Sequence, residues 1–171
     1  MLFPQREIES AVNRLAQEIA HDLKDKNPLV IGILKGSFIF AADLVRRLNF
    51  PLEIDFVKLS SYKNEETSSG QVSVSQDLNR DIKNRHILVV EDIVDTGLTL
   101  HYLLNRLRSG SPAELYLCAL LDKPSRRQQT IEINYLGFTV PDKFIVGYGM
   151  DRAEQYRNLA DIFCIEMEEN Q

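Results

Sequence analysis

Residues 87–100 read ILVVEDIVDTGLTL, with three acids, Glu91, Asp92 and Asp95, inside five positions and Thr96, Gly97 and Thr99 directly behind them. The apolar opening, mostly β-branched, predicts a buried strand. From Leu100 the apolar spacing turns helical, through Leu103, Leu104 and Leu107. A helix start offers unpaired N–H groups and a partial positive charge, which suits a phosphate. Gly97 allows close approach, and the threonines add hydroxyl donors. The acids repel a phosphate, so they make sense facing sugar hydroxyls or a divalent cation that bridges to further phosphate. A ribose phosphate carrying pyrophosphate has all three needs. Many α/β proteins also turn with Asp-Thr-Gly for structural reasons alone.

The surrounding pattern must position this turn. Residues 29–34 (LVIGIL) predict a central parallel strand, followed by Lys35-Gly36-Ser37 and a helical run over 38–48. This second strand–turn–helix is not a Walker loop, because the lysine precedes the glycine. Two such turns lie together at the carboxyl ends of parallel strands, where open α/β sheets bind ligands. Residues 114–121 (ELYLCALL) predict another buried strand, and Lys123 follows at the same sheet edge. A lone lysine there is ordinarily solvated. Residues 143–146 predict a short strand leading to Gly147-Tyr148-Gly149, too incomplete for a dinucleotide fingerprint. Residues 52–59 alternate as a half-exposed strand. The polar stretch 60–70 and the alternation after it predict a long flap between antiparallel strands. Ile8, Val12, Leu15, Ile19 and Leu23 mark an N-terminal amphipathic helix, and residues 161–167 a last strand. Strands alternating with helices imply an α/β fold: a largely parallel central sheet flanked by helices, with a small hood and an antiparallel flap.

The chain of 171 residues is expected to form a single domain, residues 1–171. Its net charge of -5 argues against nucleic acid or a membrane surface as partner. It carries no apolar run of membrane-spanning length and no apolar signal core. Cys118 and Cys164 each sit in an apolar run without a CxxC pair, so they read as buried thiols in a reducing, cytoplasmic setting.

The segment VVEDIVDTGLTL resembles the phosphoribosyl-pyrophosphate motif of the type I phosphoribosyltransferases. ILKGS, LSSY, LLDKP and PDKFIVGYGMD resemble, in order, segments of the hypoxanthine-guanine branch of that family. The likeness runs from about Leu29 to Ile165. It implies the type I phosphoribosyltransferase fold and transfer of a phosphoribosyl group from phosphoribosyl pyrophosphate to a 6-oxopurine, with Mg2+ and a homodimer or homotetramer. By resemblance, Glu91 and Asp92 hold the ribose hydroxyls and the metal environment. Asp95, Thr96, Gly97 and Thr99 form the 5′-phosphate turn, and Asp95 is also the catalytic base. Lys35, Gly36 and Arg157 meet pyrophosphate, and the Leu34–Lys35 peptide can be cis. Lys123, Phe144 and Ile145 take the purine, Asp151 a second metal, and Ser61 and Tyr62 ride on the flap. The helix over 38–48 is a candidate oligomer interface by its apolar character, which core packing explains equally well.

Two other readings compete. Some regulators reuse this fold to sense the ligand without catalysis and bind nucleic acid. Retention of Asp95, Lys123 and Asp151 and the acidic balance favour the enzyme. A phospho-receiver domain also ends a strand in an acid pair, but its acceptor aspartate should end a later strand.

Overall fold

The computed structural model describes residues 1–61, 72–78 and 80–165. Helix α1 (Gln5–Leu23) precedes β1 (Leu29–Leu34), α2 (Phe38–Val45), β2 (Glu53–Ser61), β3 (Val72–Gln76) and β4 (His86–Val94). Then come α3 (Leu98–Ser109), β5 (Glu114–Asp122), a 3-10 turn (Pro124–Arg126), β6 (Tyr135–Thr139), β7 (Phe144–Val146) and β8 (Phe163–Ile165). Six strands form one sheet in the order β3-β2-β1-β4-β5-β6. Only β3 is antiparallel to its neighbour. A separate antiparallel pair, β7–β8, makes the hood.

The runs of apolar residues in β1, β4 and β5 are buried on both faces, as central parallel strands require. Period-two alternation sorts them between two cores. Val30, Leu88, Val90, Cys118 and Leu120 pack toward α1 and α2. Leu29, Ile31, Ile87, Val89, Leu117 and Ala119 pack toward α3. The edge strand β6 is closed by Arg14 of α1, which donates to the Leu136 and Gly137 carbonyls at 2.9 and 3.1 Å. A covered edge cannot template pairing with another chain.

From β1 the chain winds outward to β2 through α2, and from β4 it winds the other way through α3 to β5 and β6. The switch point therefore lies between β1 and β4, whose carboxyl ends lead into Lys35-Gly36 and Asp95-Thr96-Gly97.

Several sequence expectations shift. Glu91 and Asp92 lie within β4, which runs on to Val94, because parallel pairing to β5 continues past the apolar residues. Helix α3 begins at Leu98, earlier than the apolar spacing alone shows. Helix α2 ends at Val45, although Leu48 is still buried. The described part of the last strand is Phe163–Ile165; residues 166–171 lie outside the described residues. In β2 the alternation does not bury its apolar side throughout: Ile54 is 42% exposed, while Glu53 pairs with Arg80 and Arg85. Cys118 is buried, but Cys164 is half-buried; both are free thiols. The flap's antiparallel pairing, β2 with β3, is present. Among the described residues no helix is long and apolar enough to cross a membrane.

Candidate active site

The carboxyl ends of β1, β4 and β5 and the hood enclose a cleft of about 600 Å³. A second hollow of about 270 Å³ adjoins it and is lined by residues 91–97 and Thr99; the two share Leu34, Gly36, Leu59, Asp92, Ile93 and Asp95. The larger cleft is also lined by Lys35, Lys123, Phe144, Ile145, Asp151 and Arg157. The fold thus gathers residues more than a hundred positions apart into one wall. Ser61 ends β2, and Tyr62 lies outside the described residues.

At the β1 turn the Leu34–Lys35 peptide is cis. Gly36 faces the acid pair so closely that an added Cβ would lie 2.0 Å from Asp92 Oδ2. Glu91 Oε2 is buried and makes no hydrogen bond in the protein. Burial, and then the neighbouring Asp92, push the Glu91 carboxyl well above the ordinary carboxylate range. Burial also pushes Asp92 from 3.8 up to about 6, against the pull of its backbone hydrogen bonds and Arg157. The ligand-free site therefore resists holding both charges.

That resistance makes a prediction. For Asp92 the ionised form is penalised only in the folded protein. The penalty is absent below its unfolded value of 3.8, grows as pH rises, and is complete above about 6. Asp92→Asn should therefore raise the Tm of the ligand-free protein at about pH 7.5, with the gain vanishing toward about pH 4. Thermal unfolding of both proteins across that range checks it, and a pH-independent difference would refute it.

Gly97, with φ of 80°, caps α3 in the left-handed region that a residue with a Cβ rarely adopts. Thr99 falls in the first helical turn. Asp95 points into the cleft; its Oδ1 is buried without a hydrogen bond and lies 3.5 Å from Arg126 Nε. Lys123, at a place where a lone lysine is ordinarily solvated, is only 5% exposed. Its Nζ donates to the Lys143 carbonyl at 2.8 Å and lies 4.0 Å from Asp142 Oδ1, so the strand end and the hood hold it over the cleft. Phe144 begins β7 and is 38% exposed, its ring free to meet a planar ligand, while Ile145 is buried behind it.

On the opposite rim Arg157 donates through Nη1 to the Gly149 carbonyl at 2.8 Å and pairs through Nη2 with Asp151 at 2.8 Å. Glu154 bridges Lys35 at 2.9 Å and Arg157 at 3.3 Å. The bond to Lys35, and then that to Arg157, hold its carboxyl below the ordinary range. Sequence reasoning missed Arg126, Asp142 and Glu154. Arg126 carried a legible signal, lying just past a strand end on the ligand edge; Glu154 sits in a polar loop with no pattern. Among the described residues no three His, Cys, Asp or Glu side chains cluster as a metal cage, so Glu91, Asp92 and Asp151 do not form one together.

A switch-point cleft flanked by an acid pair and a Thr-Gly helix start defines the class, and the chain matches the phosphoribosyl transferase domain over residues 1–153. It is 42% identical over 172 residues to a hypoxanthine phosphoribosyltransferase of Haemophilus influenzae, covering 99% of this chain and 96% of that protein. It is 45% identical over 159 residues to a hypoxanthine-guanine phosphoribosyltransferase of Bacillus subtilis, covering 93% of this chain and 88% of that one. A crystal structure of a hypoxanthine-guanine phosphoribosyltransferase from Bacillus anthracis superposes with a TM-score of 0.91 at 43% identity, covering 97% and 98% of the two chains. The chain belongs to the hypoxanthine-guanine phosphoribosyltransferase family and is an enzyme. The regulator and receiver readings are not favoured.

Proposed function

We propose that this enzyme serves purine salvage, transferring the phosphoribosyl group of phosphoribosyl pyrophosphate to hypoxanthine or guanine and releasing pyrophosphate with IMP or GMP. The observation that carries the assignment of roles is the adjoining of two hollows across Asp92 and Asp95, one walled by the Thr-Gly turn and one by Lys123 and Phe144. In this reading Asp95, Thr96, Gly97 and Thr99 hold the 5′-phosphate, and Glu91 and Asp92 face the ribose hydroxyls. Lys35, Gly36 and Arg157 receive the pyrophosphate. Phe144 stacks on the purine, Ile145 offers backbone groups to its edge, and Lys123 donates to its 6-oxo group. Adenine carries a donor at that position, and a site built around one hydrogen bond rejects the mismatch strongly. Ser61 and Tyr62 belong to the flap, which would keep water from the activated sugar.

The donor set suits Mg2+. Its oxygens are hard, and the lack of a three-ligand cage accords with an ion that takes one or two carboxylates and completes its shell with water and substrate phosphate. Glu91 and Asp92 are the residues that would hold one such ion, and Asp151 a second. When bound, such an ion neutralises charge on the leaving pyrophosphate. Arg157 and the backbone amides of the Lys35-Gly36 turn do the same work with fixed protein charge and dipoles. Asp95 removes the proton from the purine's imidazole ring as the glycosidic bond forms. We place the enzyme in the cytoplasm as one domain, without nucleic-acid or membrane partners. We assign it a homodimer or homotetramer, which sedimentation would test.

A steady-state assay with phosphoribosyl pyrophosphate, Mg2+ and each of hypoxanthine, guanine, xanthine and adenine tests the whole reading. Nucleotide from 6-oxopurines and none from adenine is expected; donor binding without transfer to any base would leave a sensor. Lys123→Ala should raise the KM for the base more than the KM for the sugar donor. The reverse pattern would remove Lys123 from the purine's 6-oxo group.

A further inference from the structure

We propose that Arg127 is the positioning residue of the phosphate turn, aligning the backbone of residues 94–97 from behind the cleft. The inference rests on the reading of that turn as the 5′-phosphate site. Arg127 lines neither hollow. Its Nε donates to the Asp95 carbonyl at 3.0 Å, and Nη2 donates to the Val94 carbonyl at 3.1 Å and to the Asp122 carboxylate. The next two amides, of Gln128 and Gln129, donate to the Thr96 carbonyl at 2.9 and 3.2 Å. Three consecutive carbonyls at the end of β4 are thus drawn toward one short segment.

The consequence follows from peptide geometry. In a trans peptide the N–H points opposite to the carbonyl. Anchoring the carbonyls of Asp95 and Thr96 toward Arg127 turns the amides of Thr96 and Gly97 the other way. Neither amide donates to a backbone carbonyl among the described residues. They are left to an anion at the start of α3. The packing is close on the anchoring side: a Cβ on Gly97 would lie 3.1 Å from Arg127 Cδ and 3.2 Å from the Gln129 carbonyl oxygen. The same guanidinium ties the turn to Asp122, the residue before Lys123, so one side chain sets the phosphate turn against the purine wall. Its pairing is shielded, with the two side chains 17% and 15% exposed. A planar fork holds its three acceptors at fixed positions, whereas an ammonium is a compact point donor on a flexible stem.

The test is calorimetric titration of ribose 5-phosphate into the full chain and into Arg127→Met and Arg127→Lys, alongside Tm and the KM for each substrate. The probe binds without turnover, so a failure of the enzyme reading shows separately as wild-type binding without transfer. Arg127→Met should weaken ribose 5-phosphate binding on the order of 10- to 100-fold, the scale of a loop misplaced by about 1 Å. The KM for phosphoribosyl pyrophosphate should rise and that for hypoxanthine change much less. Arg127→Lys, which keeps a charge beside Asp122, should recover part of the loss. A folded Arg127→Met that binds ribose 5-phosphate as the wild type does would overturn the proposal. If Arg127→Met does not fold, Arg127→Lys decides, and undiminished binding by it overturns the proposal equally.

Discussion

Asp95→Asn should lower turnover by roughly 10²–10⁴-fold, the range that loss of a general base produces. Asparagine has the shape of aspartate and keeps an oxygen for the Arg126 guanidinium, 3.5 Å from Oδ1 in the native enzyme. What it loses is the ability to accept and hold a proton. That acceptor is well prepared: Oδ1 is buried beside Arg126, while the side chain as a whole is 37% exposed and lines the cleft, so the carboxyl's exposed part can meet a purine N–H. Arg126 also has Asp142 Oδ1 at 4.0 Å, so the loss of charge at residue 95 does not strand a cation. The effect should therefore fall on kcat, with the KM for the sugar donor changed far less. Single-turnover measurement with saturating donor and hypoxanthine checks this, and near-normal turnover would remove Asp95 from the role of base.

Gly36→Ala should be nearly as damaging, for a steric reason. An added Cβ would stand 2.0, 2.5 and 2.7 Å from three atoms of the Asp92 carboxyl, distances no relaxed structure holds. Either Asp92 swings from the place where it faces the ribose, or the 35–36 turn withdraws from the pyrophosphate. Both outcomes separate two groups that must act on neighbouring parts of one donor molecule. Displacement on the order of 1 Å costs about 100-fold in kcat/KM at such sites. Kinetics with varied phosphoribosyl pyrophosphate, read beside Tm, gives the answer. Undiminished kcat/KM in a folded variant would mean that the turn and Asp92 do not act together.

Both variants concern residues whose types the sequence already marked, and the contrast between legible and illegible parts has a physical basis. Buried parallel strands write themselves as unbroken apolar runs, so β1, β4 and β5 were readable, as was the amphipathic α1. The turn after β4 was readable because phosphate binding needs glycine and hydroxyl side chains at a helix start. Its exact boundaries were not: Glu91 and Asp92 belong to β4, since the ladder to β5 outlasts the hydrophobic pattern. The burial of Lys123 was not legible, because local sequence carries no sign of the Lys143 carbonyl, 20 positions on, that accepts its hydrogen bond.

By itself, then, the sequence determined the α/β class, the ligand-binding edge and the chemistry of that edge, because hydrophobic period and side-chain type are local properties. The tertiary structure alone decided which groups face one another. It set Gly36 against Asp92, bridged Lys35 and Arg157 through Glu154, buried the lone lysine, and placed Arg127 behind the phosphate turn. Those pairings join residues 3 to 119 positions apart or bind a side chain to a distant carbonyl. They exist only once the strand order is fixed, because sheet register, not chain spacing, sets the distances between them.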